Sequence, residues 1–313
     1  MAWIYFALFS YFLGALAIIL DKFLLGSKRI SSPPVYSFYI GALGLITIIL
    51  FPYYFYVPSA FQIAISIVSG SLFTFGILAL YFAIQKGEAS RVTPIVGAVT
   101  PLFCYFISLF FLKAALGIEQ IVGIILLVFG GLFISFDLPL KINRKKFVAG
   151  FYPAVLAGVL LALSSIIYKY IYAEQTFFNG FIWTRIGAFV GVLSLFLVSK
   201  WRKDIIKSLA NFRKPKNEDY GTGALFVTNK AIGGASSILF HYAINLGNAT
   251  LVNSLVSVQY VFVLILAVMF SAWYPKIFSE KLHFWDWAQK VMAIGNIALG
   301  IYLVSRPINM MSF

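Results

Sequence analysis

Cysteine and charged residues are both scarce in this sequence. Its 313 residues include a single cysteine, Cys104, and only 11% are Asp, Glu, Lys or Arg. One cysteine excludes an intrachain disulfide and a cysteine metal cluster. A soluble domain normally carries about 25% charged residues. The composition therefore excludes a soluble globular domain, a disulfide scaffold and a disordered chain.

Acidic residues are much rarer than basic ones. Ten Asp and Glu stand against 24 Lys and Arg, which gives a formal net charge of +14. In a hydrophilic chain this excess would suggest nucleic acid. Here 61% of the residues are hydrophobic and the mean hydropathy is +0.93, and basic residues of membrane proteins gather in loops that set orientation. We therefore expect a membrane protein with no nucleic-acid partner.

Long apolar runs account for most of the chain. Ten of them are long enough to cross a bilayer as helices, which satisfy their own backbone hydrogen bonds. They cover residues 2–20, 35–56, 62–84, 90–112, 117–136, 148–172, 178–199, 222–245, 249–272 and 285–304. The predicted fold is all-α, a polytopic membrane protein with ten transmembrane helices.

The basic residues are sorted between the two sides of the predicted membrane. Nineteen fall in the loops after spans 1, 3, 5, 7 and 9 or at their edges, whereas Lys113, Lys169 and Arg306 fall on the other side. Loops rich in Lys and Arg face the cytoplasm. The sequence therefore predicts a multi-pass protein of the cytoplasmic membrane, with those five loops inside the cell and both termini outside.

An internal repeat divides the chain into two halves. Residues 81–96 read YFAIQKGEASRVTPIV and residues 241–256 read HYAINLGNATLVNSLV, so a shift of 160 aligns Gly87 with Gly247. Two halves of five spans, residues 1–140 and 141–313, must be inverted relative to each other because five is odd. Inverted repeats around a central site are the architecture of secondary transporters.

The repeat motifs resemble a known family. With GEASRVTPI opening span 4 and the LFFL and EQIVGIILLVFGG segments leading through span 5, the chain resembles EamA-type members of the drug/metabolite transporter superfamily over residues 5–305. The resemblance implies a ten-helix basket whose central cavity is lined mainly by spans 3, 4, 8 and 9. It also implies transport of a metabolite such as an amino acid, with export common in the family.

Span 8 carries an interior charge on a polar face. Lys230, Gly234, Ser237 and His241 recur at i, i+4, i+7 and i+11 and share one side of the helix. Burying a charge there costs about 2.5–3.5 kcal/mol on insertion scales. Lys230 is predicted either to bind a carboxylate or phosphate of the substrate or to snorkel to the headgroups. His241 either joins it or forms a hydrogen bond at the outer interface.

Spans 4 and 9 offer a second polar face, matched through the repeat. Thr93 and Thr100 correspond to Asn253 and Tyr260, and Gly97 between them corresponds to Ser257. Such groups line a wet cavity or bond across helices. The predicted substrate-binding residues are Lys230, Thr93, Thr100, Asn253, Ser257, Tyr260, Tyr81, Ser237, His241 and Arg185, with Arg185 alternatively reaching headgroups.

Two prolines interrupt span 4. A proline inside a helix frees a carbonyl one turn back and bends the helix. Pro101 is predicted to act as a hinge, and Pro94, near the start of the span, is its weaker companion.

The acidic residues all fall at span ends or in loops. A proton-coupled exporter of cationic drugs needs a buried carboxylate, so an anionic or zwitterionic solute is predicted instead. The leading hypothesis is a secondary transporter, an exporter working by alternating access as a monomer or homodimer. The alternatives are a membrane-embedded enzyme on lipid-linked substrates and a non-transporting scaffold or scramblase.

The sequence contains no P-loop, dinucleotide fingerprint, HExxH or Ser/His/Asp set. We therefore expect no enzymatic activity, no cofactor and no metal. Residues 200–216 place Trp201, Ile205, Leu209 and Phe212 on one stripe among lysines, which is typical of a helix lying on anionic lipid headgroups. A solvated loop whose lysines only set topology is the alternative.

Overall fold

The computed structural model describes residues 2–25, 32–50, 52–87, 89–112, 116–135, 144–212, 220–271, 273–274 and 284–306. No strand occurs among these residues. The helices are α1 (Ala2–Leu25), α2 (Pro33–Gly44), α3 (Ile46–Leu50), α4 (Ala60–Lys86), α5 (Ala89–Ile107), α6 (Ile118–Ser135), α7 (Arg144–Glu174), α8 (Phe177–Ser194), α9 (Ser199–Phe212), α10 (Tyr220–Leu246), α11 (Ala249–Ser254), α12 (Val256–Ser271) and α13 (Phe284–Ser305).

Eight helical segments in the described part of the chain are long and apolar enough to cross a membrane. Their outer faces carry large apolar side chains, including those of Phe106, Phe110, Phe129 and Phe133, which are exposed. Lipid tails accept such a surface and water does not. The predicted all-α polytopic membrane protein is confirmed at this level.

The second predicted span, 35–56, is shorter in the structure and is not one continuous helix. α2 begins with Pro33 and Pro34 in its first turn, where a missing N–H costs nothing. α2 ends at Gly44 and α3 ends at Leu50. A 3₁₀ turn at Pro52–Tyr54 follows, and the backbone over residues 55–59 is not helical. Pro52 and Pro58 cannot donate backbone hydrogen bonds, so the helix does not continue.

The ninth predicted span is also interrupted. Leu255 separates the six-residue α11 from α12. The Asn248 side chain caps α11 by accepting a hydrogen bond from the Thr250 amide at 2.8 Å. In the fourth span, a π-helical turn at Ser108–Leu112 follows α5.

The amphipathic segment predicted at residues 200–216 is helical over the described part, as α9. Its apolar stripe is divided between two surroundings. Ile205 is fully buried against Val35, Leu78 and Leu195, whereas Leu209 is exposed. α9 is therefore docked on the helix bundle along part of its stripe, and its contact with lipid headgroups stays a prediction.

Helices from distant parts of the chain pack as pairs. α1 lies against α10 and α12, α7 lies against α4 and α5, and α6 lies against α13. The first pair is joined by reciprocal hydrogen bonds, since the Ser10 hydroxyl donates to the Ser236 carbonyl at 2.8 Å and the Ser236 hydroxyl to the Ser10 carbonyl at 2.9 Å. The Ser164 hydroxyl on α7 donates to the Ser69 carbonyl on α4 at 2.9 Å.

α4 and α8 approach each other through glycines. A Cβ at Gly70 would collide with the backbone of α8 at Thr184 and Ala188, and a Cβ at Gly187 would collide with the backbone of α4 at Ser66. The Thr74 hydroxyl donates to the Ala188 carbonyl at 2.8 Å. This close contact fixes α8, which carries Arg185, against α4.

Candidate functional site

Arg185 lies at the centre of a buried cluster that joins four helices. It is only 6% exposed, and its guanidinium carbon stands 4.5 Å from the Phe181 ring centroid and 5.4 Å from that of Phe73 on α4. A Cβ at Gly44 on α2 would lie 3.3 Å from Arg185 Cδ. Its Nη2 atom is 2.7 Å from Nε2 of His241 on α10. The side chain therefore does not reach headgroups, which was the alternative for this residue.

The hydrogen bonds of His241 fix its tautomer. Nδ1 is 2.7 Å from the Ser237 carbonyl oxygen, which can only accept, so Nδ1 carries a hydrogen. Arg185 Nη2 lies 2.7 Å from Nε2 and 3.2 Å from Nδ1, and because a guanidinium can only donate, we assign Nε2, the nearer nitrogen and the one without a hydrogen, as the acceptor. His241 is thus a neutral imidazole that is 2% exposed, and its two hydrogen bonds hold it between α10 and α8.

Further buried donors surround this pair. Arg185 Nε has no hydrogen-bond partner among the described residues, and the hydroxyls of Tyr168 and Tyr172 form no well-aligned hydrogen bond, although they lie beside the hydroxyls of Ser164 and Thr184. The Tyr168 ring centroid lies 4.9 Å and the Tyr172 centroid 6.3 Å from that of His241. Buried polar groups are nearly always hydrogen-bonded. A buried guanidinium with an unpartnered Nε and two phenols nearby has the chemistry of an anion site.

Arg185 has no carboxylate partner among the residues that the structure describes. The groups in contact with its guanidinium are the neutral His241 and two aromatic rings. Taking a charge out of water without a counter-ion is costly. Among the described residues, the positive charge of Arg185 is therefore stabilised only by the dipole of His241 and by the faces of aromatic rings.

Lys230 is placed differently, beside an acid. Its Nζ is 3.7 Å from Asp21 Oδ1 on α1, and both side chains are about one-third exposed, at 31% and 32%. The Asn229 amide also donates to Asp21 Oδ1 at 2.6 Å. Asp21, one of the acids that the sequence places at span ends, lies one turn inside the end of α1 and faces α10.

Tyr81 belongs to the same end of the bundle as Lys230. Its ring centroid is 4.2 Å from that of Tyr36 on α2, and Lys230 Nζ lies 5.7 Å from the same Tyr36 ring. Tyr36 therefore links the predicted residue on α4 to the ion pair between α1 and α10.

Between the ion pair and the Arg185 cluster, α10 presents an open face. No atom lies within 4 Å of the position that a Cβ would take at Gly233 or Gly234. The exposed residues along this part of α10 are Val227, Thr228, Ala231, Gly234 and Ala235. Apart from Val227 they are small, unlike the large apolar side chains on the outer faces of α5 and α6. Ser237, half-buried, connects this face to His241.

The polar residues of spans 4 and 9 lie at a helix contact and have internal partners. The Thr100 hydroxyl donates to the Val96 carbonyl at 2.8 Å, and the Asn253 amide donates to Ala249 at 2.8 Å. The Ser257 hydroxyl donates to Ser254 at 3.3 Å.

Tyr260 closes the same contact from α12. Its hydroxyl donates to the Thr93 carbonyl at 3.2 Å, and it would collide with a Cβ at Gly97. The gap that remains between Pro94, Gly131 and Tyr260 has no room for a water molecule. This contact is dry in the structure.

Both prolines of the fourth span stand inside α5, which continues past them. Pro94 lines the dry gap, and Pro101 is buried seven residues before the π turn at Ser108–Leu112. Bending at Pro101 stays a prediction.

Tyr168, Tyr172 and Asp21 were not predicted as site residues. Ser164, Tyr168 and Tyr172 recur every four residues on one face of α7, and this spacing was a usable signal. Asp21 gave none, because its partner depends on how α1 and α10 pair. No group of His, Cys, Asp and Glu suited to a metal ion occurs among the described residues.

Comparisons with known proteins support the fold. No family model matches the chain. An uncharacterized protein of Methanocaldococcus jannaschii is 37% identical over 70 residues, which make up 22% of this chain and only half of that relative. The chain is also similar to a solved structure that is described only as a crystal structure of a protein, with a TM-score of 0.64 and 15% sequence identity. The alignment covers 96% of this chain and 94% of the other chain. At that identity the likeness shows the fold alone.

Proposed function

We propose that the protein is a secondary transporter of a small organic anion or zwitterion such as an amino acid. It exports this solute across the cytoplasmic membrane by alternating access between two inverted halves. The observation that carries the proposal is Arg185, a buried cation that lacks a carboxylate partner among the described residues.

The energetics of Arg185 favour a ligand role. An arginine within a membrane-spanning helix costs about 2.5–3.5 kcal/mol on insertion scales, and such residues mark substrate pathways. Its unpartnered Nε and the Tyr168 and Tyr172 hydroxyls match the oxygens of a carboxylate. A bound carboxylate offsets the cost by satisfying these donors. The proposed substrate contacts are therefore Arg185, Tyr168, Tyr172 and His241.

The open face of α10 supports a solute pathway. α10 has 27 residues but is not among the eight segments apolar enough to be recognised as spans by composition. Small side chains and Gly234 leave space beside it, running from Lys230 past Ser237 towards the Arg185 cluster. In this proposal Lys230, paired with Asp21, lies where the pathway opens to the cytoplasm.

The packing of the helices supports two inverted repeats. The first helix of each proposed half lies against the third and fourth helices of the other half, and the two fifth helices, α6 and α13, lie against each other. The turns before the fourth helices also match, since Gly87 N donates to Ala83 and Gly247 N to Ala243, both at 2.8 Å.

We propose ten spanning elements in two EamA-like halves, residues 1–140 and 141–313. They are the eight long apolar segments together with α2–α3 and α10. The loops after spans 1, 3, 5, 7 and 9 face the cytoplasm and both termini face outward. In this proposal the dry contact between α5 and the α11–α12 pair, including Thr93, Thr100, Asn253, Ser257 and Tyr260, opens when the halves move.

A non-transporting scaffold is the second candidate. The observation that favours it is the same dry contact, where polar residues are bonded within the protein and no water fits beneath Pro94. A scaffold does not need an uncompensated buried arginine, however, and this is why we favour the transporter.

Flux through the purified chain in liposomes tests the proposal. Labelled amino acids, mono- and dicarboxylates and sugar phosphates are assayed singly for saturable movement. We expect flux of at least one anionic or zwitterionic solute, reduced at least about tenfold by Arg185→Gln because one charge-assisted contact is worth about 1.5–3 kcal/mol. Arg202→Gln on the exposed side of α9 is the matched control. Absence of saturable flux in every solute class contradicts the transporter and favours the scaffold.

A further inference from the structure

The Arg185–His241 contact occupies one particular edge of the guanidinium. Nε–H and one Nη2–H of an arginine point the same way, and a carboxylate binds this edge with two parallel hydrogen bonds. In the structure Nη2 of that edge is engaged by His241, and Nε is unpartnered. The imidazole thus fills half of the position that a carboxylate would take.

A carboxylate that binds both nitrogens of this edge competes with the imidazole for Nη2. Nε2 of His241 then loses its donor, while Nδ1 keeps its hydrogen bond to the Ser237 carbonyl. A lone pair without a donor in a buried site is unfavourable. The favourable outcome is a hydrogen on Nε2 directed at the bound carboxylate.

The net charge around His241 determines whether its Nε2 takes up that hydrogen. Before the anion binds, a protonated His241 would place two cations in contact at 2.7 Å. With a carboxylate between them, the imidazolium has a counter-ion and the net charge of the site stays at one positive unit. Protonation is therefore disfavoured in the empty site and favoured in the loaded one.

The other groups around the imidazole do not compete for this role. The titratable or charged groups facing it among the described residues are Arg185 from α8 and the phenols of Tyr168 and Tyr172 from α7. α1 also packs against α10, and its acid Asp21 is paired with Lys230. Lys230 lies about three helical turns from His241 along α10.

We propose that His241 takes up one proton each time Arg185 binds the carboxylate of the solute, so that anion and proton cross the membrane together. The proton comes from water on the side where the solute enters, resides on Nε2, and returns to water on the side where the solute leaves. No covalent bond of the solute changes. This inference rests on the proposed function, because it requires a carboxylate solute at Arg185.

The protein has two histidines, which makes the protonation directly observable. Full-length His283→Gln protein labelled with ¹⁵N-histidine gives the signals of His241 alone. Without solute we expect a hydrogen on Nδ1 and a bare Nε2. The probes are acetate, succinate, L-glutamate and L-alanine. With a probe that binds, we expect hydrogens on both nitrogens and uptake of one proton per bound probe in weakly buffered solution.

Two variants separate the roles. His241→Gln keeps an acceptor for Arg185 but cannot be protonated, so whatever binding of the probe it retains should occur without proton uptake. Arg185→Gln should abolish both binding and uptake. Binding to the unaltered site with Nε2 still bare overturns this inference and leaves the proposed function standing. Failure of every probe to bind overturns both.

Discussion

Arg185 and Lys230 are interior cations that the fold treats in opposite ways. Lys230 has an acid 3.7 Å away and is about one-third exposed, whereas Arg185 is buried against aromatic rings and a neutral imidazole. The planar guanidinium suits the second environment because it stacks on rings and is weakly hydrated. The free charge available to a solute is thus at Arg185.

The pairing of Lys230 with Asp21 is testable by a double-mutant cycle. Lys230→Gln and Asp21→Asn should each destabilise the protein slightly, and the double variant should lose little more than either single one. Because both side chains are partly exposed, we expect a coupling energy of about 0.2–1 kcal/mol, read from thermal unfolding in detergent. Strictly additive losses would show that the pair contributes nothing to stability.

The same variants separate the two roles of Lys230 in transport. If it acts through the ion pair, Asp21→Asn impairs flux as much as Lys230→Gln. If it holds the solute directly, which is one of the two alternatives that the sequence predicts, only Lys230→Gln does.

The sequence predicted which side chains are unusual, but it did not predict their partners. Lys230, Arg185 and His241 stand out because charge and imidazole are rare in apolar runs. Arg185 and His241 are 56 residues apart, and their contact depends on how α8 and α10 rotate and pair. That depends on packing along whole helices, which the local pattern does not contain.

At the scale of elements, glycine positions have very different surroundings. Gly70 faces the backbone of α8, and Gly234 faces open space. Gly70→Ala forces two backbones apart, and overpacking of this kind costs about 1–3 kcal/mol. We expect a clear loss of thermal stability for Gly70→Ala and none for Gly234→Ala, measured side by side. Equal effects of the two substitutions would contradict the α4–α8 contact.

Long apolar helices were predictable, and interruptions were not. α4, α6 and α7 follow runs that no proline or polar cluster ends early. The break at Leu45 occurs within apolar sequence, so no local signal announces it. The break at Leu255 follows Asn253 and Ser254, whose side chains donate to carbonyls of their own helix, but polar residues of this kind also occur in unbroken helices. Gly44, next to Leu45, packs against the Arg185 side chain, a contact that the local sequence does not contain.

For the whole molecule, the orientation in the membrane is open to a labelling test. Cys104 is the single cysteine and is fully buried, so Cys104→Ala gives a background for new cysteines. We expect Tyr53→Cys, at an exposed turn between the second and third spans, to react with an impermeant maleimide from outside the cell. Lys207→Cys, on α9, should react only after the membrane is opened. The reverse pattern would invert the proposed topology.

The reciprocal hydrogen bonds between Ser10 and Ser236 constrain how the protein is made. The two residues are separated by 226 positions, and ribosomes add about 5–20 residues per second. α1 therefore waits roughly 10–45 s in the membrane before the helix that satisfies its serine has been synthesised. During that interval the Ser10 hydroxyl must be held by its own helix or by another protein, so biogenesis of this bundle is limited by its last third.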